Sequence, residues 1–107
     1  MTSINRLVRD KVPEDIKRYG GKADIRTLEN SEFKEELKKL LITEVKEYLD
    51  NDSTEELIDI LEIVYSLGSV HNLSFKEMVN LRKRKVEQKG SYSKKLFLGE
   101  EAKAEVN

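Results

Sequence analysis

The sequence predicts a mainly α-helical protein, a compact bundle of four helices, and three features of its 107 residues predict it. Apolar residues recur at spacings of three and four over two long stretches, the period of a helix with one buried face. Two Ser-x-x-Glu strings, at Ser53 and Ser74, stand ahead of apolar stretches as helix-starting capping boxes do. Apolar residues make up 37% and charged residues 38%, a balance that suits helices whose long charged side chains coat the outside.

The first helix is short. Pro13 fits an opening turn, Glu14 and Asp15 complement the helix dipole there, and Gly20 and Gly21 form a stop. Residues 23–28, with Ile25, Thr27 and Leu28, and residues 93–98, with Leu96, Phe97 and Leu98, read as weak strands that could pair in a small two-stranded β appendage.

The second helix covers residues 31–50. Phe33, Leu37, Leu40, Leu41, Val45, Tyr48 and Leu49 form its stripe, with Asn30 or Ser31 available as cap. A polar break at Asn51 and Asp52 separates it from a third helix that begins at Ser53 and is apolar round most of its circumference, from Leu57 and Ile58 to Leu67 and Val70. A helix of that kind is central or lies at a subunit contact, because a surface helix needs only one apolar stripe. The fourth starts at the Ser74–Glu77 capping box, with Leu73 and Met78 placed as a hydrophobic staple, and runs to about Lys89 before Gly90.

Residues 1–107 read as a single domain, without repeat, linker or low-complexity stretch. The net charge of -1 gives no global reason to bind nucleic acid polymers or anionic membranes. The absence of cysteine excludes a disulfide framework, a thiol nucleophile and a thiolate zinc site. The first twelve residues carry Arg6, Arg9, Asp10 and Lys11 without an apolar run fit for a signal peptide, so cytoplasmic residence is expected.

The acids beside the break carry the most information. Glu44 and Glu47 form one i, i+3 pair, Glu56 and Asp59 another. With 21 acids in the chain, chance alone yields roughly four such pairs, so spacing needs structural context. At ~100° per residue, Glu44 falls inside the apolar stripe of the second helix and Glu47 at its border. Glu56 projects close to Ile60, Ile63 and Leu67, and Asp59 lies one edge over, toward Glu62. If the helices fold back antiparallel, the two pairs face each other. Carboxylates gathered between packed helices need compensation, and a hard divalent cation supplies it through oxygen ligands. Two ordinary readings stay open: Glu56 as the capping-box acid of Ser53, and the whole set as partners of Lys or Arg.

On the fourth helix Arg82, Lys85 and Lys89 share a face with Phe75, Met78 and Val86, either snorkelling to water or clamping a polyphosphate. Arg9 and Lys11 offer a second cationic pair. The single histidine, His71, falls near the end of the third helix and reads as a surface group. Tyr92 is a candidate for stacking on a base.

These elements together resemble the MazG-like superfamily of all-α nucleoside triphosphate pyrophosphohydrolases, which includes phosphoribosyl-ATP pyrophosphohydrolase. The likeness is closest to its small, single-domain house-cleaning branch. It rests on L-V-R-D-K-V-P-E at residues 7–14, E-V-K-E at 44–47, E-L-I-D at 56–59 and K-V-E-Q-K-G-S-Y at 85–92. The gap between Glu47 and Glu56 is shorter than in many relatives, and Lys89-Gly90-Ser91-Tyr92 stands where an arginine-glycine-glycine-phenylalanine form is common. The resemblance implies magnesium, or manganese, on Glu44, Glu47, Glu56 and Asp59; separately, Glu44 and Glu47 are the acids expected to take part in catalysis, as metal ligand or as general base. It also implies phosphate contacts near Lys85 and Lys89, to which Arg9, Lys11 and Arg82 add charge. The implied reaction converts a nucleoside triphosphate, canonical or not, to its monophosphate and pyrophosphate in a homodimer or higher oligomer. Phosphoribosyl-ATP hydrolysis and a non-catalytic helical interaction module are the alternatives.

Overall fold

The computed structural model describes residues 5–102, so residues 1–4 of the N-terminal segment read above lie outside the described residues. Four helices follow one another: α1 (Val12–Arg18), α2 (Asn30–Asn51), α3 (Thr54–Val70) and α4 (Phe75–Lys89). The mainly helical class is as expected, and no helix among the described residues is long and apolar enough to cross a membrane.

The α2–α3 hairpin is the centre of the fold. Asp52 takes a left-handed backbone conformation (φ 52°), one that aspartate tolerates better than most residues, and its N–H closes on the Tyr48 carbonyl at 2.8 Å. Ser53 then caps α3, its hydroxyl accepting from the Glu55 N–H at 3.3 Å. So short a connection obliges the helices to run antiparallel against each other. The seam between them is built from Phe33, Leu37, Leu40, Leu41, Glu44 and Tyr48 on one side and Glu56, Asp59, Ile60, Ile63, Ser66, Leu67 and Val70 on the other, all at least half-buried. Leu37 and Ile63 are the most deeply enclosed hydrophobic side chains, 3% and 5% exposed.

At the far end of α3 the chain turns through His71 and a left-handed Asn72, with the Leu73 N–H donating to the Gly68 carbonyl at 2.9 Å. Ser74 and Glu77 then form the reciprocal capping box expected of them. Helix α4 meets α3 where Gly68 leaves room for Met78: a Cβ at position 68 would lie well inside the van der Waals radius of the Met78 sulfur. The Tyr65 and Phe75 rings add a tilted contact at 4.6 Å. Beyond Asn80 every residue of α4 is exposed. The bundle is drawn out lengthwise, 72 × 32 × 21 Å with a radius of gyration of 19.5 Å, against ~13 Å for a compact globule of this length.

Two expectations are corrected. No strand forms among the described residues, so the β appendage is absent. Residues 21–27 are exposed throughout, and Arg26 is drawn instead to Glu32 of α2 by a two-pronged pair at 3.1 and 2.7 Å. In the tail, Lys95 is left-handed (φ 57°) and its N–H closes a turn on the Tyr92 carbonyl, which interrupts the extended run a strand needs. The cap of α2 also differs: Glu29, extended at φ -74° and ψ 159°, holds the N-cap position without a side-chain bond, and Asn30 is already helical.

Because the core is small, each enclosed side chain matters. Leu37→Ala and Ile63→Ala are each expected to cost about 2–5 kcal/mol of stability, whereas Ile25→Ala at an exposed position costs under about 0.5 kcal/mol, read by chemical denaturation.

Candidate functional site

The hairpin register decides what stands opposite what. Glu44 and Glu47 lie a turn or two before the Asp52 corner and Glu56 and Asp59 a comparable distance after it, so the two pairs meet across the seam nearest the turn. Glu44, Glu56 and Asp59 are half-buried there and Glu47 is exposed at the edge, the order expected from the helical wheel.

Burial pushes the Glu44 carboxyl above the usual glutamate range, and the neighbouring negative charges of Glu47, Asp59 and Glu56 push it further in the same direction. Arg9 opposes them. A single side chain thus registers all three other acids, which places the four within electrostatic reach of one another. Oε2 of Glu56 is enclosed and has no hydrogen-bond partner. The capping-box explanation of Glu56 is not realised, because the Ser53 hydroxyl bonds to Glu55 and the glutamate side chain makes no return bond to Ser53, unlike Glu77 at the start of α4. An enclosed carboxylate oxygen with nothing donating to it is costly and calls for a proton, a cation or water.

The N-terminal segment closes one flank of this seam. Residues 6–12 border a cleft of about 590 Å³ whose other walls include Phe33, Leu37, Leu40 and Glu44 of α2 and Asp59, Glu62, Ile63 and Ser66 of α3. Leu7, Val8 and Val12 are half-buried, while Arg9 and Lys11 are exposed. The Arg9 guanidinium reaches across and donates from Nη2 to Oδ1 of Asp59 at 2.6 Å. Of the cations expected to serve phosphate, Arg9 and Lys11 therefore share the cleft with Glu44 and Asp59. Arg82, Lys85 and Lys89 do not: they are exposed on the part of α4 that leaves the hairpin and do not border the cleft of their own chain. His71 is exposed at the α3 C-cap, and the Tyr92 ring is 99% exposed beyond the end of α4.

Three features were not read from the sequence. Glu62 and Ser66 follow Asp59 at i+3 and i+7, a spacing that would have put them on the same cleft wall. The Arg9–Asp59 pair joins residues 50 positions apart, and no local pattern announces such a contact.

The donor set suits a hard cation, since it consists of carboxylate oxygens and includes one that is enclosed and unpartnered. The grouping is open rather than closed. Among the described residues, no three acidic or imidazole side chains are drawn together tightly enough to hold a metal ion as they stand. One oxygen of Asp59 is taken by Arg9.

No family model, curated protein or solved structure was found that matches the chain.

The raised proton affinity of Glu44 has a definite sign in stability. Its carboxyl binds a proton more tightly in the folded state than in the unfolded one, so its contribution is most favourable below the ordinary value of 4.5 and is lost as pH rises through the higher folded value. Glu44→Gln is accordingly expected to be more stable than the natural chain at pH 7 in metal-free buffer. That margin should shrink as pH falls to about 4, measured by denaturant midpoints across the range.

Proposed function

We propose that the protein is a magnesium-dependent pyrophosphohydrolase that cleaves a nucleoside triphosphate, canonical or not, to its monophosphate and pyrophosphate. The observation that carries the proposal is the enclosed, unpartnered Oε2 of Glu56 in a seam where burial and three further acids already raise the proton affinity of Glu44. The likeness of the four sequence segments to MazG-like enzymes points the same way. The cleft beside the seam lies within the size range of small-molecule sites.

Glu44, Glu47, Glu56 and Asp59 are the residues that would hold the ion. Bound there, magnesium or manganese would supply positive charge to the phosphate oxygens and help activate the attacking water. The chain's own side chains do the rest. Glu47, exposed at the edge of the seam, would accept a proton from the attacking water as general base. In the reaction the water oxygen bonds to the α-phosphorus, the bond from that phosphorus to the α–β bridging oxygen breaks, and pyrophosphate leaves. Arg9 and Lys11, on the cleft wall, bring cationic charge to the phosphates. Arg82, Lys85 and Lys89 enter as a separate basic strip, so a triphosphate in the cleft meets Arg9 and Lys11 first. The apolar walls at Phe33, Leu37 and Leu40 favour a flat, weakly hydrated group such as a base.

The second element of the proposal is self-association. At ~100° per residue, Val45 and Leu49 on α2 and Leu57 and Val64 on α3 fall on the flank of the hairpin opposite the cleft. They are 38%, 70%, 43% and 37% exposed, with Ile42 and Leu61 beside them more than 45% exposed. A single chain of this size gains little by leaving such a flank in water, and a second copy offers an equally apolar, self-complementary one. That flank also favours the alternative reading of a non-catalytic interaction module.

Incubation with a panel of triphosphates, with and without magnesium, separates these readings. The expected products are monophosphate and pyrophosphate, only with the metal, and Glu44→Gln is expected to lose at least about a hundredfold in rate while keeping its helical content. Full activity in that variant, or no turnover at high protein concentration, defeats the enzymatic reading; preferential turnover of phosphoribosyl-ATP redirects it to that substrate. In sedimentation at micromolar concentration a dimer or larger species is expected, and Leu57→Lys should shift it toward monomer. A natural chain that sediments as a monomer removes the case for association.

A further inference from the structure

We propose that Arg9 is the resident counter-ion of the acidic seam and that a divalent cation competes with it for Asp59, so that cation binding releases the guanidinium together with residues 6–12. The inference rests on the metal reading above and adds to it a displacement that the metal must accomplish.

Four observations support it. The contact is tertiary, between a segment outside any helix and the first half of α3, and its 2.6 Å length puts the guanidinium directly on Oδ1 of Asp59, one of the carboxylates assigned to the cation. One carboxylate oxygen does not serve both at full strength. The positive charge also bears on acids beyond Asp59, because Arg9 and Glu44 line the same cleft. Arg9 therefore partly compensates the whole seam, while Oε2 of Glu56 is still without a partner. The holding force is weak: the two side chains are 58% and 42% exposed, and an ion pair in that setting adds little. Finally, little else fixes the segment. Residues 6–11 belong to no helix, Leu7, Val8 and Val12 are only half-buried, and the backbone is tied by a turn in which the Val12 N–H donates to the Arg9 carbonyl at 3.0 Å.

The exchange has a chemical logic. Among the described residues the acids share a seam without closing into a ligand set. A divalent ion concentrates two charges in one point, whereas a guanidinium spreads one over a plane, so the ion is the better match for several converging carboxylates. The displaced guanidinium remains at the cleft mouth, and its planar fork suits bidentate contact with a phosphate. Metal loading would thus prepare the cation that meets the polyphosphate, and the anion would be met poorly before the metal is bound.

The test compares the natural chain with Arg9→Gln and Arg9→Lys, using Mn2+ alone as probe. Binding is followed by the loss of the free-ion electron paramagnetic resonance signal, and backbone hydrogen exchange is followed over residues 7–12. Arg9→Gln is expected to bind Mn2+ about two- to fivefold more tightly, the range an exposed ion pair permits, with Arg9→Lys between it and the natural chain. In the natural chain Mn2+ should speed exchange over residues 7–12; in Arg9→Gln exchange there should be fast already and insensitive to the metal. Equal Mn2+ affinity in all three proteins with no change in exchange overturns the displacement and leaves the metal reading standing. Absence of Mn2+ binding in every variant overturns both.

Discussion

The two-residue corner at Asp52 and Ser53 is the constraint on which the rest of this molecule depends. Because the chain reverses there without slack, α2 and α3 pair in a single antiparallel register, and residues equally distant from the corner meet. Near the corner the residues that meet are acids; a turn or two further on they are Leu37, Leu40 and Ile63, where the core begins. A different corner length would rotate one helix against the other and separate both sets at once.

Placing four carboxylates on one seam creates an electrostatic demand that the hairpin does not meet alone. Like charges at short range, partly shielded from water, raise one another's proton affinity, and Glu44 carries that signature. The compensation present in the structure comes from the N-terminal segment, which lies along the seam and lends Arg9 to Asp59. It is incomplete, since Glu56 retains an enclosed oxygen without a donor. Partial neutralisation suits the proposed cation site: full pairing with arginines would close the seam, and none would tax the fold.

The distribution of apolar surface follows from the same hairpin. Two helices in contact bury one stripe each, and α3 is apolar on more than one side, so Leu57, Ile58, Leu61 and Val64 are left outside the seam. Helix α4 covers part of the remainder through Met78 against Gly68 and Phe75 against Tyr65, then departs from the hairpin. The acidic flank with its cleft and the apolar flank opposite are thus two sides of one pair of helices, so the proposed chemistry and the proposed association would not compete for the same surface. The proposed second copy lies on the side that the acids do not use.

How much of this was legible in the sequence depends on whether the determining interactions are local. Helix period, the Ser53 and Ser74 caps, the stop at Gly90 and the position of the corner are set by residues within a few places of one another, and the structure follows them closely. So, too, is the intrusion of Glu44 into an apolar stripe, which periodicity alone exposes. The strands proposed for residues 23–28 and 93–98 did not form because β pairing needs a partner at the right distance. Arg26 is instead committed to Glu32, and Lys95 bends the tail. The bond from Arg9 to Asp59, the cleft that Glu62 and Ser66 help to line, and the separation of Arg82, Lys85 and Lys89 from that cleft were settled by how whole elements lie against one another. By itself the sequence determined where helices begin and end and which faces they would hide, since those are short-range matters of backbone geometry and spacing. Only tertiary structure decided which charges became neighbours, because that depends on contacts between segments that are distant along the chain.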